Sequence, residues 1–215
     1  LSKNVAGIVK CPINKNLLNK KNIGVTEFFA SKCNIKNDRE VMIIKNENLM
    51  VSPITTHLDI KSISKKLKKN TIINKVKTIN IWHSKLFKKR PKIAMLGLNP
   101  HNGELSKNSE EIKIIIPTIS KLKKGGYNVE GPLSADTFFV NNYKKYDVVV
   151  GMYHDQVLTP LKAIYEFDAI NITTGLNFIR ISPDHGTNNE MLGKNLSNEL
   201  SLKKSLSFFN DINES

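Results

Sequence analysis

Three of the five histidines, His57, His101 and His154, each stand just after an apolar run of β type. Residues 147–162 read DVVVGMYHDQVLTPLK, an apolar strand over 148–152 that turns polar at Tyr153, His154, Asp155 and Gln156. Pro160 and Lys162 follow. A second run, NLMVSPI, leads into Thr55, Thr56 and His57. A third, KIAMLGL, leads into Asn99, Pro100, His101, Asn102, Gly103 and Glu104. Open α/β sheets present chemistry beyond the carboxyl ends of their strands. Imidazoles delivered from separate strand ends can share a divalent metal, although no local ligand motif is present. A histidine taken singly can also serve only as a local hydrogen-bonding group, and spacing alone leaves both readings open.

The elements that would carry these groups follow from hydrophobic periodicity. VAGIV, over 5–9, is a short strand, and Lys15 lies in the loop beyond it. There Lys15 either meets an anionic ligand or is solvated. Leu17 and Leu18 mark a short helix, and Thr26 and Glu27 open another ahead of Phe28 and Phe29. VMIIK and NLMVSPI are adjacent strands around Asn46 and Glu47. Residues 59–90 are helical, with Ile60, Ile63 and Leu67 on one face and Ile72, Val76, Ile79, Leu86 and Phe87 on another. His83 within this stretch is structural, and Asn70 starts its second helix. Pro91 ends it. A helix over 109–124 buries Ile112, Ile115, Ile116, Ile119 and Leu122 and stops at Gly125 and Gly126. A short strand then runs into Gly131 and Pro132. Asp136 beyond it is either a helix cap or a carboxylate aimed at a site. AINITT and FIRIS are strands, Pro183 to Thr187 a loop, and 196–209 a terminal amphipathic helix. Strands alternating with helices give an α/β fold with a mostly parallel sheet.

The formal net charge of +14 raises nucleic acid or an anionic substrate as partners. Lysine is spread evenly through KNLLNKKN, KSISKKLKKN and KKSLSFFN, however, and no aromatic-studded basic groove accompanies it, so nucleic acid is set aside. Cys11 and Cys33 form no metal spacing and point to a reducing, cytoplasmic compartment. No apolar run reaches the length of a membrane span, and the opening LSKNVAGIVK lacks a signal-peptide core. The opening also lacks an initiator methionine, and residues upstream are expected.

TTHLDI, GLNPHNGE, GPLSADTFF, MYHDQVLTPLK, NITTGLNFIR and SPDHGT stand in this order, preceded by CPINK and GVTEFFA. Together they closely resemble the 4-hydroxythreonine-4-phosphate dehydrogenase family of pyridoxine biosynthesis, over nearly the whole chain. The resemblance implies an α/β/α fold of the isocitrate/isopropylmalate dehydrogenase type, incomplete at its amino end. It implies one partial two-lobed unit over 1–215, with a central metal and dimer lobe over 25–150 and the rest of the cofactor-side lobe from 1–24 and 151–215. It implies a homodimer with the site near the interface, and no nucleic-acid or membrane partner. His57, His101 and His154 would hold a divalent metal (zinc, magnesium or cobalt). Thr26, Lys162, Asn171 and Arg180 would contact substrate, and Asp136 and Asp155 would be the catalytic carboxylates. His185, Gly186 and Thr187 would meet NAD or NADP.

The implied reaction oxidises the secondary hydroxyl of 4-phosphooxy-L-threonine, passes hydride to NAD, and loses carbon dioxide from the β-keto acid to leave 3-amino-2-oxopropyl phosphate. Two departures stand out. The family usually reads Gly-His-Thr-Glu where this chain has Gly24, Val25, Thr26 and Glu27, so one substrate contact is absent. The family chain is also longer at its amino end, and NNEMLGKN departs from the small-residue stretch expected after DHGT. A related dehydrogenase for another phosphorylated hydroxy acid, or an inactive truncated homologue, are the alternatives.

Overall fold

VMIIK, IAML and VVVGMY are apolar on both alternating faces, so they can lie only where both faces of a sheet are covered. The computed structural model, which describes residues 7–13, 25–35, 39–187 and 189–213, places them at the heart of one eight-stranded sheet. The elements run β1 (Gly7–Val9), α1 (Val25–Lys32), β2 (Val41–Lys45), β3 (Met50–Thr55), α2 (Ile60–Lys66), α3 (Lys69–Phe87), β4 (Ile93–Leu96), α4 (Ile116–Lys124), β5 (Val129–Leu133), α5 (Ala135–Asn141), β6 (Val148–Tyr153), α6 (His154–Tyr165), β7 (Ile170–Thr174), β8 (Ile179–Pro183) and α7 (Leu200–Asn213). Lys15, Leu17 and Leu18 lie outside the described residues.

The sheet order is β1-β8-β7-β2-β3-β6-β4-β5. β3, β6, β4 and β5 are parallel neighbours, as are β1 and β8. β8, β7, β2 and β3 alternate in direction. The expected mostly parallel sheet is therefore a mixed one. The cause is connection length. β2 and β3 are joined by 46–49 and β7 and β8 by 175–178, too short for a crossover, so each pair must be antiparallel. Asn46 closes the first turn by accepting the amides of Asn48 (2.9 Å) and Leu49 (2.7 Å) on its side-chain oxygen.

Helices cover both faces. Ile72, Val76 and Ile79 of α3, Ile119 and Leu122 of α4 and Phe208 of α7 pack against Ile43, Ile54, Val150 and Ile172. On the other face Phe138 of α5 and Val157, Leu158 and Leu161 of α6 pack against Met42, Ile44, Val51 and Leu96. Three expected core positions are instead exposed. Ile60 stands at the first turn of α2, 80% exposed. Phe87 ends α3, at 38%, where Lys88 turns left-handed. Ile112, at 36%, falls in a π turn, Glu111–Ile115, whose extra residue per turn rotates it away from the sheet. The terminal helix starts at Leu200, leaving Leu196 exposed before it.

His83 is structural, as its place within α3 suggested. It is buried, its Nδ1 lies 2.9 Å from the Lys89 carbonyl, and its ring stands 4.6 Å from that of Phe87. Burial pushes its pKa below 6.5, against the opposing pull of the Lys89 carbonyl. The folded state therefore favours the neutral ring. Its contribution is fully present above 6.5 and is lost as pH falls through the lower folded value, because the unfolded chain takes up the proton first. His83→Gln should cost about 1 kcal/mol at neutral pH. Urea denaturation of both proteins from about pH 7.5 to about pH 5 should show the difference shrinking as pH falls; a constant difference would contradict this assignment.

Candidate active site

Because β3, β6, β4 and β5 lie side by side and parallel, their carboxyl ends open on one edge of the sheet. Residues that follow neighbouring strands start only about 4.8 Å apart. His57 follows β3, His154 follows β6, His101 follows β4 and Asp136 follows β5. His154, Asp155 and Gln156 form the first turn of α6 rather than the end of the strand. Gln156 locks this junction: its oxygen accepts the Met152 amide at 2.7 Å and its nitrogen donates to the Gly97 carbonyl of the neighbouring chain segment at 2.6 Å. Gly151 leaves room for it, since a Cβ there would stand 2.5 Å from Val157 and 2.9 Å from Gln156.

A cleft of about 420 Å³ opens beside this edge. It collects His57 and His154 with Thr26 of α1, Lys162 of α6, Asn171 of β7 and Arg180 of β8. His185 and Gly186 lie at its rim. Thr187 lines instead a neighbouring depression that also touches His185 and Gly186. Asp155 faces a smaller hollow shared with His57 and His154. His101 and Asp136 line neither the cleft nor these hollows; they face each other, His101 Nδ1 3.9 Å from Asp136 Oδ2.

Arg180 is the electrostatic anomaly of the cleft. It is 3% exposed, and burial pushes its pKa down to about 10, so it stays charged at neutral pH. One terminal nitrogen donates to Thr173 Oγ1 at 3.1 Å, and Phe29 lies under it at 5.9 Å. Among the described residues no carboxylate pairs with it and its Nε has no partner. The side-chain oxygen of Asn171 is likewise buried and unpaired. Thr26 reaches this corner through a 3.4 Å contact with Thr173 Oγ1. Lys162, by contrast, is anchored: it donates to Asp184 Oδ2 at 2.8 Å and to the Asp184 carbonyl at 2.9 Å. Asp184 is held in turn through its amide, which donates to Ser201 Oγ at 3.0 Å. Asp184 escaped selection as a site residue, although it stands inside the SPDHGT stretch beside His185.

The His57 and His154 rings are 6.2 Å apart, centre to centre. Two imidazoles on one ion, with metal–nitrogen bonds of about 2.1 Å, stand roughly 5 Å apart, so a small side-chain movement would bring both to a common ion. His154 Nδ1 lies 2.7 Å from Asp155 Oδ1. A carboxylate there keeps the proton on Nδ1 and leaves Nε2 as the donor, the usual support of a ligating histidine. The donor chemistry fits a divalent metal, but within one chain it is incomplete: among the described residues no three His, Cys, Asp or Glu converge as a metal would require.

His101 opens a turn with an unusual backbone. His101, Asn102, Gly103, Glu104 and Leu105 all have φ between 46° and 61°. Left-handed conformation costs an L-residue about 1–2 kcal/mol, and only one of these residues is glycine. Glu111 lies beneath the turn, wholly buried, and nothing in the sequence sets it apart from the chain's other acids. Burial alone would raise its pKa, but the amide and side chain of Asn99 and the amide of Leu98 hold it below the ordinary carboxylate value.

The family profile described as pyridoxal phosphate biosynthetic protein PdxA matches residues 1–208. A 4-hydroxythreonine-4-phosphate dehydrogenase of Sulfurihydrogenibium sp. is 40% identical over 204 residues, covering 92% of this chain and 62% of that protein. The crystal structure of 4-hydroxythreonine-4-phosphate dehydrogenase from Klebsiella pneumoniae superposes with a TM-score of 0.84 at 33% identity, over 98% of this chain and 65% of that one. An isocitrate dehydrogenase from Methylococcus capsulatus, at 10% identity and a TM-score of 0.57 over 94% of this chain and 66% of its own, shares the fold. The chain thus spans just under two thirds of the length of the relatives it matches.

Arg180 makes the cleft's charge testable without any cofactor. Burying an unpaired charge carries a desolvation penalty that an apolar side chain does not. Arg180→Met should therefore keep or raise the urea midpoint, while calorimetric titration shows inorganic phosphate binding weakened by at least about tenfold. A variant that binds phosphate as wild type does would remove Arg180 from the anion site.

Proposed function

The chain belongs to the pyridoxal phosphate biosynthetic protein PdxA family, and from that premise we propose that it oxidises and decarboxylates 4-phosphooxy-L-threonine with NAD or NADP, in the cytoplasm. The observation that carries this reading is a buried guanidinium with no counter-charge among the described residues, sharing one cleft with a pair of imidazoles. Such a cleft suits a small substrate whose own negative charge meets the guanidinium while its hydroxyl lies beside the two imidazoles.

Arg180, with Asn171 and Thr26, binds the phosphate, and Lys162 supplies the second cation from its anchor on Asp184. Guanidinium grips two phosphate oxygens at once, which fixes the substrate's direction as well as its place. His57 and His154 would hold the divalent metal (zinc, magnesium or cobalt), which when bound would polarise the substrate's secondary hydroxyl. Asp155 keeps His154 in the ligating tautomer, and a carboxylate at this edge, Asp155 or Asp136, takes the hydroxyl proton as hydride leaves the same carbon for the nicotinamide. His185, Gly186 and Thr187 face the cofactor. The keto acid then loses carbon dioxide, and the carbon that held the carboxylate takes up a proton.

His101 is the third ligand and comes from a second copy of the chain. Its side chain is 72% exposed, and its turn carries Leu105, 55% exposed, packed beside α5 with Val140, 71% exposed. Apolar side chains next to an outward-facing ligand suit a homodimer interface that completes the site.

The protein should form NADH from 4-phosphooxy-L-threonine only with a divalent metal present. His57→Ala and His154→Ala should each lower kcat/KM by more than about a hundredfold, the upper end of what even an outer partner of a metal ligand costs. Mixing His101→Ala with His154→Ala, both inactive alone, should restore about a quarter of the wild-type sites after subunits exchange, because half the dimers then hold one intact site. No recovery would place all three ligands within one chain. One observation favours a shifted substrate: Val25 lines the cleft where the family resemblance expects histidine. A large gain on 4-phosphooxy-L-threonine in Val25→His, from near zero, would decide for that second reading.

A further inference from the structure

Nothing in the proposed chemistry uses Glu111, yet it is wholly buried and its carboxylate is fully engaged beneath the His101 turn. Its Oε1 accepts the amides of Leu98 and Asn99, both at 2.8 Å, and its Oε2 accepts the Asn99 side chain at 3.0 Å. The turn rests directly on it: a Cβ at Gly103 would stand 2.9 Å from Glu111 Oε2, and one at Gly97 3.2 Å from Oε1. Four L-residues of the turn, His101, Asn102, Glu104 and Leu105, hold left-handed φ values that they would not hold unaided. Asn102 adds two longer ties, donating to the Pro132 carbonyl and Ser134 Oγ, each at 3.3 Å. The preceding acid, Glu110, accepts the same Asn99 side chain at 2.8 Å and also the Ser64 hydroxyl of α2, the helix that follows His57.

We propose that Glu111 is a positioning residue for the metal site: it holds the left-handed turn that aims His101, and Glu110 ties that turn to the segment carrying His57. The inference rests on His101 being a metal ligand. Glu111 itself is no ligand, since its oxygens already accept three N–H groups and it lies below the surface. The connection runs from Glu111 to the Leu98 and Asn99 amides and so to the backbone two residues before His101. Losing it frees the turn to relax to ordinary φ values and swings the imidazole away.

Titration with cobalt(II), followed by its visible absorption, tests this on the whole protein without substrate. Glu111→Gln should weaken cobalt binding about 10- to 100-fold, the range seen when an outer partner of a metal ligand is lost, and should change the absorption. In a His101→Ala background the same substitution should have no further effect on affinity. Inorganic phosphate binding at Arg180 should stay at the wild-type level, which shows that the fold is intact. If Glu111→Gln does not fold, Asn102→Ala decides in its place: weaker cobalt binding that vanishes in the His101→Ala background supports the proposal, and wild-type binding overturns it. Wild-type cobalt affinity and absorption in a folded Glu111→Gln protein overturn it. An equal loss in the His101→Ala background also does, because the role is then merely structural. Wild-type cobalt affinity in His101→Ala alone would sink the reading of His101 as a ligand, and this inference with it.

Discussion

Everything at the candidate site depends on four strands running in the same direction. β3, β6, β4 and β5 are parallel neighbours, so whatever follows them is delivered to one edge, although 97 residues separate Thr55 from the Met152 carbonyl to which it donates. The helices between them are the crossovers that parallel pairing demands, and their apolar stripes seal the two faces of the sheet. Gln156 shows how tightly the edge is drawn. It satisfies an amide at the end of β6 and a carbonyl at the end of β4 with one side chain. Both strand ends are thereby fixed against each other at the level where the histidines emerge.

Several departures from ordinary packing lie along the same edge. Among the described residues a guanidinium is buried without a carboxylate and a side-chain amide oxygen without a donor, and five consecutive residues turn left-handed. Away from this edge the half-buried Asp147 is paired by ordinary means: it accepts the Lys92 amide at 2.7 Å and Lys89 at 3.1 Å, and these hold its pKa low against the effect of burial. An unpaired charge and an unpaired amide oxygen side by side in one cleft are expected where a ligand supplies the missing partners.

The strands and most helices were legible because their periodicity is strong and their stops are chemical. Gly126 at φ 81° ends α4 as its GG sequence suggests, and VMIIK and NLMVSPI pair as adjacent strands. Sheet direction was less legible. Alternation of strands and helices points to parallel pairing, and only the lengths of 46–49 and 175–178 reveal the reversals. The exposed isoleucines mark the limits of helical spacing: Ile112 keeps the right interval for an α-helix, but the chain runs through a π turn there. In the site, His57, His154, Lys162, Asn171 and Arg180 were found from ordered motifs and do line one cleft. His101 was found by the same signal and does not, because the position of a side chain after a strand depends on the turn that carries it.

That turn explains why Glu111 could not be read from the chain while His101 could. A ligand announces itself by residue type, since few side chains can hold a metal or grip a phosphate. A supporting carboxylate has no such signature, because aspartate and glutamate at a helix start are ordinary residues whose usual role is to meet the helix dipole. What distinguishes Glu111 is burial combined with three donors aimed at it, and both properties exist only after β4 and the segment at 109–115 have packed together. The left-handed backbone has the same origin: Asn102 and Gly103 permit it locally, but Glu104 and Leu105 adopt it only because the residues on either side are already fixed. The chemistry of the site is thus written in single residues, whereas its geometry is a property of contacts that no single residue carries.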